Sequence, residues 1–291
     1  MARWLKWHGW LVVGMAFVPQ IGNAYCRSTT KEPKSSCPEV CSLEGIPLRW
    51  ARSEMQFALH EGGFPGLSMA QLREVVTRSF AAWESATCNG EPVDFAFELA
   101  ATTTSEGAVH HVGGVPNKSV LVYEDEQTWA DKEHSPVAFA VTTIAYSPVS
   151  GLISEADIEF NGGMPTWAVC PAAGCDDGDT HTDLPNVLIH ELGHTLGLSH
   201  SDAAGSTMEC AATPGDTDKR DLSADDISAI CLTYPPGQTF VPQSVAVEGA
   251  SCSVRPGVAA PGAGRHIAWA LALYATARLV RRARRGRHQR R

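Results

Sequence analysis

The chain has 291 residues, 44% hydrophobic and 19% charged, a balance that fits a folded globular protein and excludes a disordered one. Its net charge of −9 hides a polarity: residues 265–291 carry nine arginines and no acid, and residues 1–24 carry Arg3, Lys6 and no acid. The body between keeps 12 basic residues against all 32 acidic ones, which argues against a nucleic-acid partner because phosphate binding needs a basic face.

Residues 1–24 read as a secretory signal, with Arg3 and Lys6 as the charged start, Trp10 to Val18 as the apolar stretch and Gly22-Asn23-Ala24 as the cleavage site. The mature chain then begins at Tyr25, and all nine cysteines follow it. In an exported protein they read first as disulfides, with Cys170–Cys175 and Cys210–Cys231 as the preferred local pairs. Nine is odd, so one cysteine needs another role. Residues 25–44 look like a short disulfide-tied lead-in to a globular domain over 45–236.

Within that domain, Leu48 to Trp50 and Gln56 to Leu59 are candidate strands. Ser68-Met69-Ala70-Gln71 is a capping box opening a helix whose apolar face is Leu72, Val75, Val76, Phe80 and Trp83, and Asn89-Gly90 closes it. Further strands are expected around Val93 to Leu99, Ser119 to Tyr123, Ala138 to Tyr146 and Ile153 to Asn161. Asp183 is a good N-cap for a next helix, with Pro185 tolerated in its first turn. A last helix begins at Ser223, presents Ile227, Ile230, Cys231 and Tyr234, and is stopped by Pro235-Pro236. Strand, helix, several strands and then helices suit a mixed α/β domain with a twisted sheet packed on helices.

The helix after Asp183 carries the chemistry. His190 and His194 are four apart, so their imidazoles share one helix face. His200 joins them only if the helix breaks and the chain turns back, and Gly197 stands where that break must come. Three protein ligands leave one tetrahedral zinc position open for water, and Glu191 is placed to take that water's proton. The full His-Glu-x-x-His-x-x-Gly-x-x-His pattern is the zinc signature of the metzincin clan.

His190 to His200 followed by Ser201 resembles the zinc motif of the matrixin family within that clan. Three other stretches agree: Ala156 to Asn161, Ser206-Thr207-Met208 where the family has its Met-turn, and Leu222 to Ile227 at the start of its C-terminal helix. The resemblance covers roughly residues 45–236. It implies a mostly parallel sheet with an antiparallel edge strand, packed on an active-site helix and a C-terminal helix. It implies a zinc endopeptidase acting on proteins and peptides, with His190, His194 and His200 as ligands, Glu191 as general base and Met208 as a hydrophobic base under the site; a monomer is expected. Substrate would lie extended along an edge strand, with Val137 to Val141 as the candidate.

The chain also departs from the family. Glu209-Cys210 follow Met208, there is no Pro-Arg-Cys-Gly switch, and His110, His111 and His134 do not reproduce the structural-zinc pattern and read as surface residues. Asp176, Asp177 and Asp179 offer oxygen ligands to calcium, with a solvated loop as the plainer alternative. Two rival functions stand beside the endopeptidase: a non-catalytic binding module on a protease fold, and a zinc hydrolase of a non-protein substrate.

Residues 237–264 have the Pro, Gly and Ala composition of a linker. The apolar stretch Ile267 to Val280 that follows is short for a span, which needs about 20 residues. With Cys252 before it and arginines after it, this region resembles the C-terminal sorting tails of myxobacterial surface proteins. That would make Cys252 a processing site and tie the protein to the cell envelope or release it.

Overall fold

The computed structural model describes residues 25–31, 41, 44–108, 119–164, 166–175 and 180–238. The expected signal segment, His110, His111, Asp176, Asp177, Asp179 and Cys252 lie outside them, as does the whole C-terminal unit Ser244–Arg291.

The first elements are β1 (Tyr25–Arg27), β2 (Arg49–Trp50) and β3 (Glu54–Leu59). Helix α1 (Met69–Glu84) starts on the expected capping box and buries Leu72, Val76, Phe80 and Trp83. It ends at Ser85, earlier than Asn89-Gly90. Those two residues instead turn a hairpin between β4 (Thr87–Cys88) and β5 (Glu91–Pro92), with φ of 54° and 90°. A two-residue hairpin turn of the primed kind demands positive φ, which Asn-Gly supplies at little cost.

Strands β6 (Ala96–Leu99) and β7 (Ser119–Glu124) precede α2 (Glu126–Asp131), a short helix with no apolar period to announce it. The cap at Asp125, which accepts from Gln127 and Thr128, is its local cause. After it come β8 (Ala140–Tyr146), β9 (Leu152–Asn161), β10 (Thr166–Ala168) and β11 (His181–Asp183). Helix α3 (Leu184–Thr195), β12 (Leu198–Ser201), a 3₁₀ turn at Asp218–Arg220 and α4 (Ala224–Thr233) complete the described chain.

The main sheet has six strands. β6, β3, β7 and β9 run parallel in that order, β2 pairs parallel with the start of β9, and β8 pairs antiparallel with β9 along most of its length. This is the mixed α/β architecture, mostly parallel with an antiparallel edge, that the resemblance implies. α1 and α3 pack together, and Phe57, Phe80 and Phe97 meet with ring centroids 4.9 to 6.2 Å apart. Ala156, Ile158 and Phe160 of β9 face this core, while Glu155, Asp157 and Glu159 on its other face are buried as well. Asp157 accepts from Val120 N at 2.8 Å, and Lys132 binds both Glu124 and Glu159, so part of that polar face is satisfied within the protein. His134 is half-buried rather than a plain surface residue, packed on Trp129 with Nε2 3.3 Å from Glu159.

Three disulfides join described residues: Cys26–Cys41, Cys88–Cys231 and Cys170–Cys175. The last is the expected local pair. The expected Cys210–Cys231 pair does not form, because α4 lies against the β4–β5 hairpin and brings Cys231 to Cys88 with Cα atoms 5.5 Å apart. Cys210 is itself disulfide-bonded, elsewhere. Among the described residues, no helix is long and apolar enough to cross a membrane.

Candidate active site

Asp183 sets the direction of the active-site helix. Its carboxylate accepts from Asn186 N and Cys170 N, both at 2.9 Å, and pairs with Arg220 through Nε and Nη2 at 2.7 and 2.5 Å. The cap, a neighbouring strand end and the 3₁₀ turn are thereby fastened at one point. The helix is buried along nearly its whole length, with Leu188 and Leu192 in the core and Trp83 Nε1 donating to the Ile189 carbonyl at 2.8 Å. It ends at Leu196, and Gly197, at φ +86°, reverses the chain. A Cβ there would also stand 2.3 Å from the Leu48 carbonyl oxygen, so glycine is required by dihedral and by space alike. β12 then carries His200 back to the helix.

The three histidines converge as the spacing requires. One ligand atom from each lies within 4.8 Å of the others, and the ring centroids stand 4.8, 4.9 and 5.3 Å apart. His190 Nδ1 is 2.7 Å from the Thr207 carbonyl and His194 Nδ1 is 2.9 Å from the Leu198 carbonyl. Carbonyls only accept, so each Nδ1 carries the proton and each Nε2 is left with its lone pair for a metal. Burial lowers both imidazoles, His190 well below the ordinary histidine value and His194 to about 4, which keeps them in the neutral, ligating form. Three imidazoles and no thiolate suit zinc with a vacant ligand position.

Glu191 is buried next to this cluster, and desolvation raises its carboxyl above the usual range, partly offset by a hydrogen bond from Thr142 Oγ1 to Oε2 at 2.5 Å. Thr142 belongs to β8, whose outer edge pairs with no strand among the described residues. The edge available to an extended substrate is therefore Ala140–Tyr146. Val137, in the stretch expected for that role, lies before the strand and is largely exposed. A cleft of about 1170 Å³ runs beside this edge and over the histidines.

Met208 lies beneath the site, fully buried, in a turn held by Asp226. The Asp226 carboxylate accepts from Ser206 Oγ (2.6 Å), Thr207 N (2.8 Å), Met208 N (3.1 Å), Ser223 N (2.8 Å) and Ser223 Oγ (2.7 Å). It closes the N-terminal box of α4 and the turn under the three histidines at once. Read in sequence, Asp226 is only an acid in a first helical turn. Gly193 has a hidden role too: a Cβ there would stand 2.2 Å from Met208 Sδ and 2.7 Å from Trp83 Cζ2. Gly193→Ala should cost about 1–3 kcal/mol by overpacking, although alanine is the better helix former. Thermal melts of the variant should show a lower midpoint, and an unchanged or higher one would contradict this packing.

β1 pairs antiparallel with β12, next to His200. Asp225 ties the two together, accepting from Tyr25 N at 3.2 Å and from Ser201 Oγ at 2.7 Å. Sequence reasoning singled out neither Asp225 nor Thr142 for the site, since neither lies near the motif in the chain.

The lowered imidazoles predict a pH dependence for the metal-free protein. A histidine with a depressed folded value contributes stability that is whole above the unfolded value of about 6.5 and is lost as pH falls toward the folded value. Glu191, raised, works in the opposite sense above its unfolded value. With two buried histidines against one carboxylate, the midpoint of the metal-free chain should fall between pH 6.5 and about 4, and fall less in His194→Gln. Melts across that range check this, and a flat wild-type profile would contradict it.

Residues 104–235 match the family model described as Matrixin. The chain is 28% identical over 209 residues to matrix metalloproteinase-C of Caenorhabditis elegans, covering 70% of this chain and 31% of that one. It is 26% identical over 173 residues to metalloendoproteinase 2-MMP of Arabidopsis thaliana, covering 58% and 39%. Interstitial collagenase of Oryctolagus cuniculus is 26% identical over 217 residues, covering 72% and 38%. The chain thus spans between about a third and two fifths of the length of these curated relatives. The converging histidines, the parallel sheet with its antiparallel edge and these similarities agree on a likeness to the Matrixin family.

Proposed function

We propose that the chain is an exported zinc-dependent endopeptidase that cleaves proteins, with His190, His194 and His200 holding the metal. The observation that carries this is the convergence of three imidazoles beside a buried carboxylate, at the side of an open strand edge. Zinc, when bound, supplies Lewis acidity toward a water and toward the scissile carbonyl. Glu191 takes the proton from the attacking water and returns it to the leaving amine. Its desolvated position holds its affinity for a proton above that of a surface carboxylate, and Thr142 keeps Oε2 in place. β8 binds the substrate backbone as an added strand, which fixes the scissile bond without regard to most side chains.

The domain plan keeps a signal over 1–24, a catalytic region over 45–236 preceded by a cysteine-containing lead-in, a linker over 237–264 and a tail over 265–291 that reaches the cell envelope. The protein acts as a monomer on extracellular proteins, and Cys252 is the processing position. Calcium at Asp176, Asp177 and Asp179 belongs to the same reading as an auxiliary ion. The test is cleavage of casein or gelatin by the oxidised chain, lost on chelation and regained with zinc. Absence of cleavage by the zinc-loaded chain would overturn the endopeptidase reading.

A further inference from the structure

The floor of the cleft beside His190 is made by Asn186 and Val187 of α3, by Ala211 and Ala212 after the turn at Met208, and by Lys219 of the 3₁₀ turn. Lys219 is only 8% exposed. Its backbone is pinned by a 2.8 Å hydrogen bond from its N–H to Asn186 Oδ1, so its position is set by the fold.

The Lys219 ammonium donates to the Glu209 carbonyl and lies 3.3 Å from His190 Nδ1. That nitrogen already gives its proton to Thr207 O, so it does not accept from the lysine. An ammonium has three N–H donors, and among the described residues no carboxylate pairs with this one. Arg220, the next residue, is by contrast fully engaged with Asp183. Burial strips water from this ammonium, and Glu209, Glu191, Asp226 and Asp216 offset that only through space, without a direct ion pair. A substrate carboxylate in direct contact would relieve that penalty.

We propose that Lys219 is a specificity residue: its ammonium, at the floor of the pocket beside His190, receives the carboxylate of an Asp or Glu flanking the scissile bond. Val187, Ala211 and Ala212 are small or apolar and accommodate the methylenes of such a side chain while the carboxylate reaches the lysine. The proposal rests on the endopeptidase reading above.

The test uses the full oxidised, zinc-loaded chain and end-blocked peptides differing only by Glu, Gln, Leu or Ala at the positions flanking the cleaved bond. Blocked ends remove the terminal carboxylate as a rival source of the same charge. The Glu peptide is expected to exceed its Gln isostere about tenfold or more in kcat/KM, mainly through KM, as a charge-assisted hydrogen bond would produce. Lys219→Met should bring the Glu-to-Gln ratio toward one, and Lys219→Arg should keep a preference for Glu. Binding of the same peptides to the zinc-loaded Glu191→Gln chain reads the pocket without turnover and should show the same order. Equal affinity for Glu and Gln peptides there, a preference for Leu or Ala, or a Glu preference that survives Lys219→Met would overturn the proposal. Discrimination in binding without cleavage of any peptide or casein by the wild-type chain would instead overturn the endopeptidase reading and leave the charged pocket standing.

Discussion

Glu191→Gln should lower kcat/KM on casein-derived peptides by about 10²- to 10⁴-fold, the range general-base catalysis supplies, while zinc stays bound. The reasoning is geometric. Glu191 lies between two ligands in the chain but is not among the three residues whose donor atoms converge. Its carboxylate is held by Thr142 and by burial. Glutamine keeps the volume and the capacity to accept from Thr142, yet it does not take up a proton near neutral pH. Zinc content by atomic absorption should equal that of the wild type. A variant with more than a tenth of wild-type activity would remove Glu191 from its role, and one that loses zinc would show that it supports the ligands instead.

Asp226→Ala should lower stability by about 3–5 kcal/mol, the usual cost of removing one partner from a buried charged network. For a domain of this size that corresponds to a fall in Tm of about 6–20 °C. Five donors from Ser206, Thr207, Met208 and Ser223 converge on its two oxygens, and two of the backbone N–H groups belong to the turn under the histidines. Asp226→Asn should be nearly as damaging, because its amide nitrogen would face donors where an oxygen now accepts. Since the Thr207 carbonyl orients His190, zinc affinity should also drop, by about 10- to 100-fold. Thermal melts and zinc competition measure the two effects. A variant that melts like the wild type would mean that the turn is held by other contacts.

The two predictions differ in how much of them a reader of the chain alone could reach. His190, Glu191, His194 and His200 were legible because their spacing maps directly onto helix periodicity and a single break at Gly197. The capping boxes at Ser68 and Ser223 and the apolar faces of the helices were legible for the same reason, since each depends on residues three or four apart. Asn89-Gly90 was misplaced because the pair that can end a helix also makes a hairpin turn, and only the partner strand decides between them.

What depends on distant contact was not legible. Asp226 became the anchor of the Met208 turn, Thr142 the partner of Glu191, and Cys231 the partner of Cys88 across 143 residues. Gly193 occupies a variable position of the motif, and its need for smallness exists only because Met208 and Trp83 close over it. Local pattern carries information about neighbours one or two helical turns away, and so the sequence by itself determined the three converging histidines, the carboxylate beside them and the helices that present them. Which side chains line the floor, fasten the turn and cross-link the frame was decided by packing between segments far apart in the chain, where no fixed spacing relates the partners.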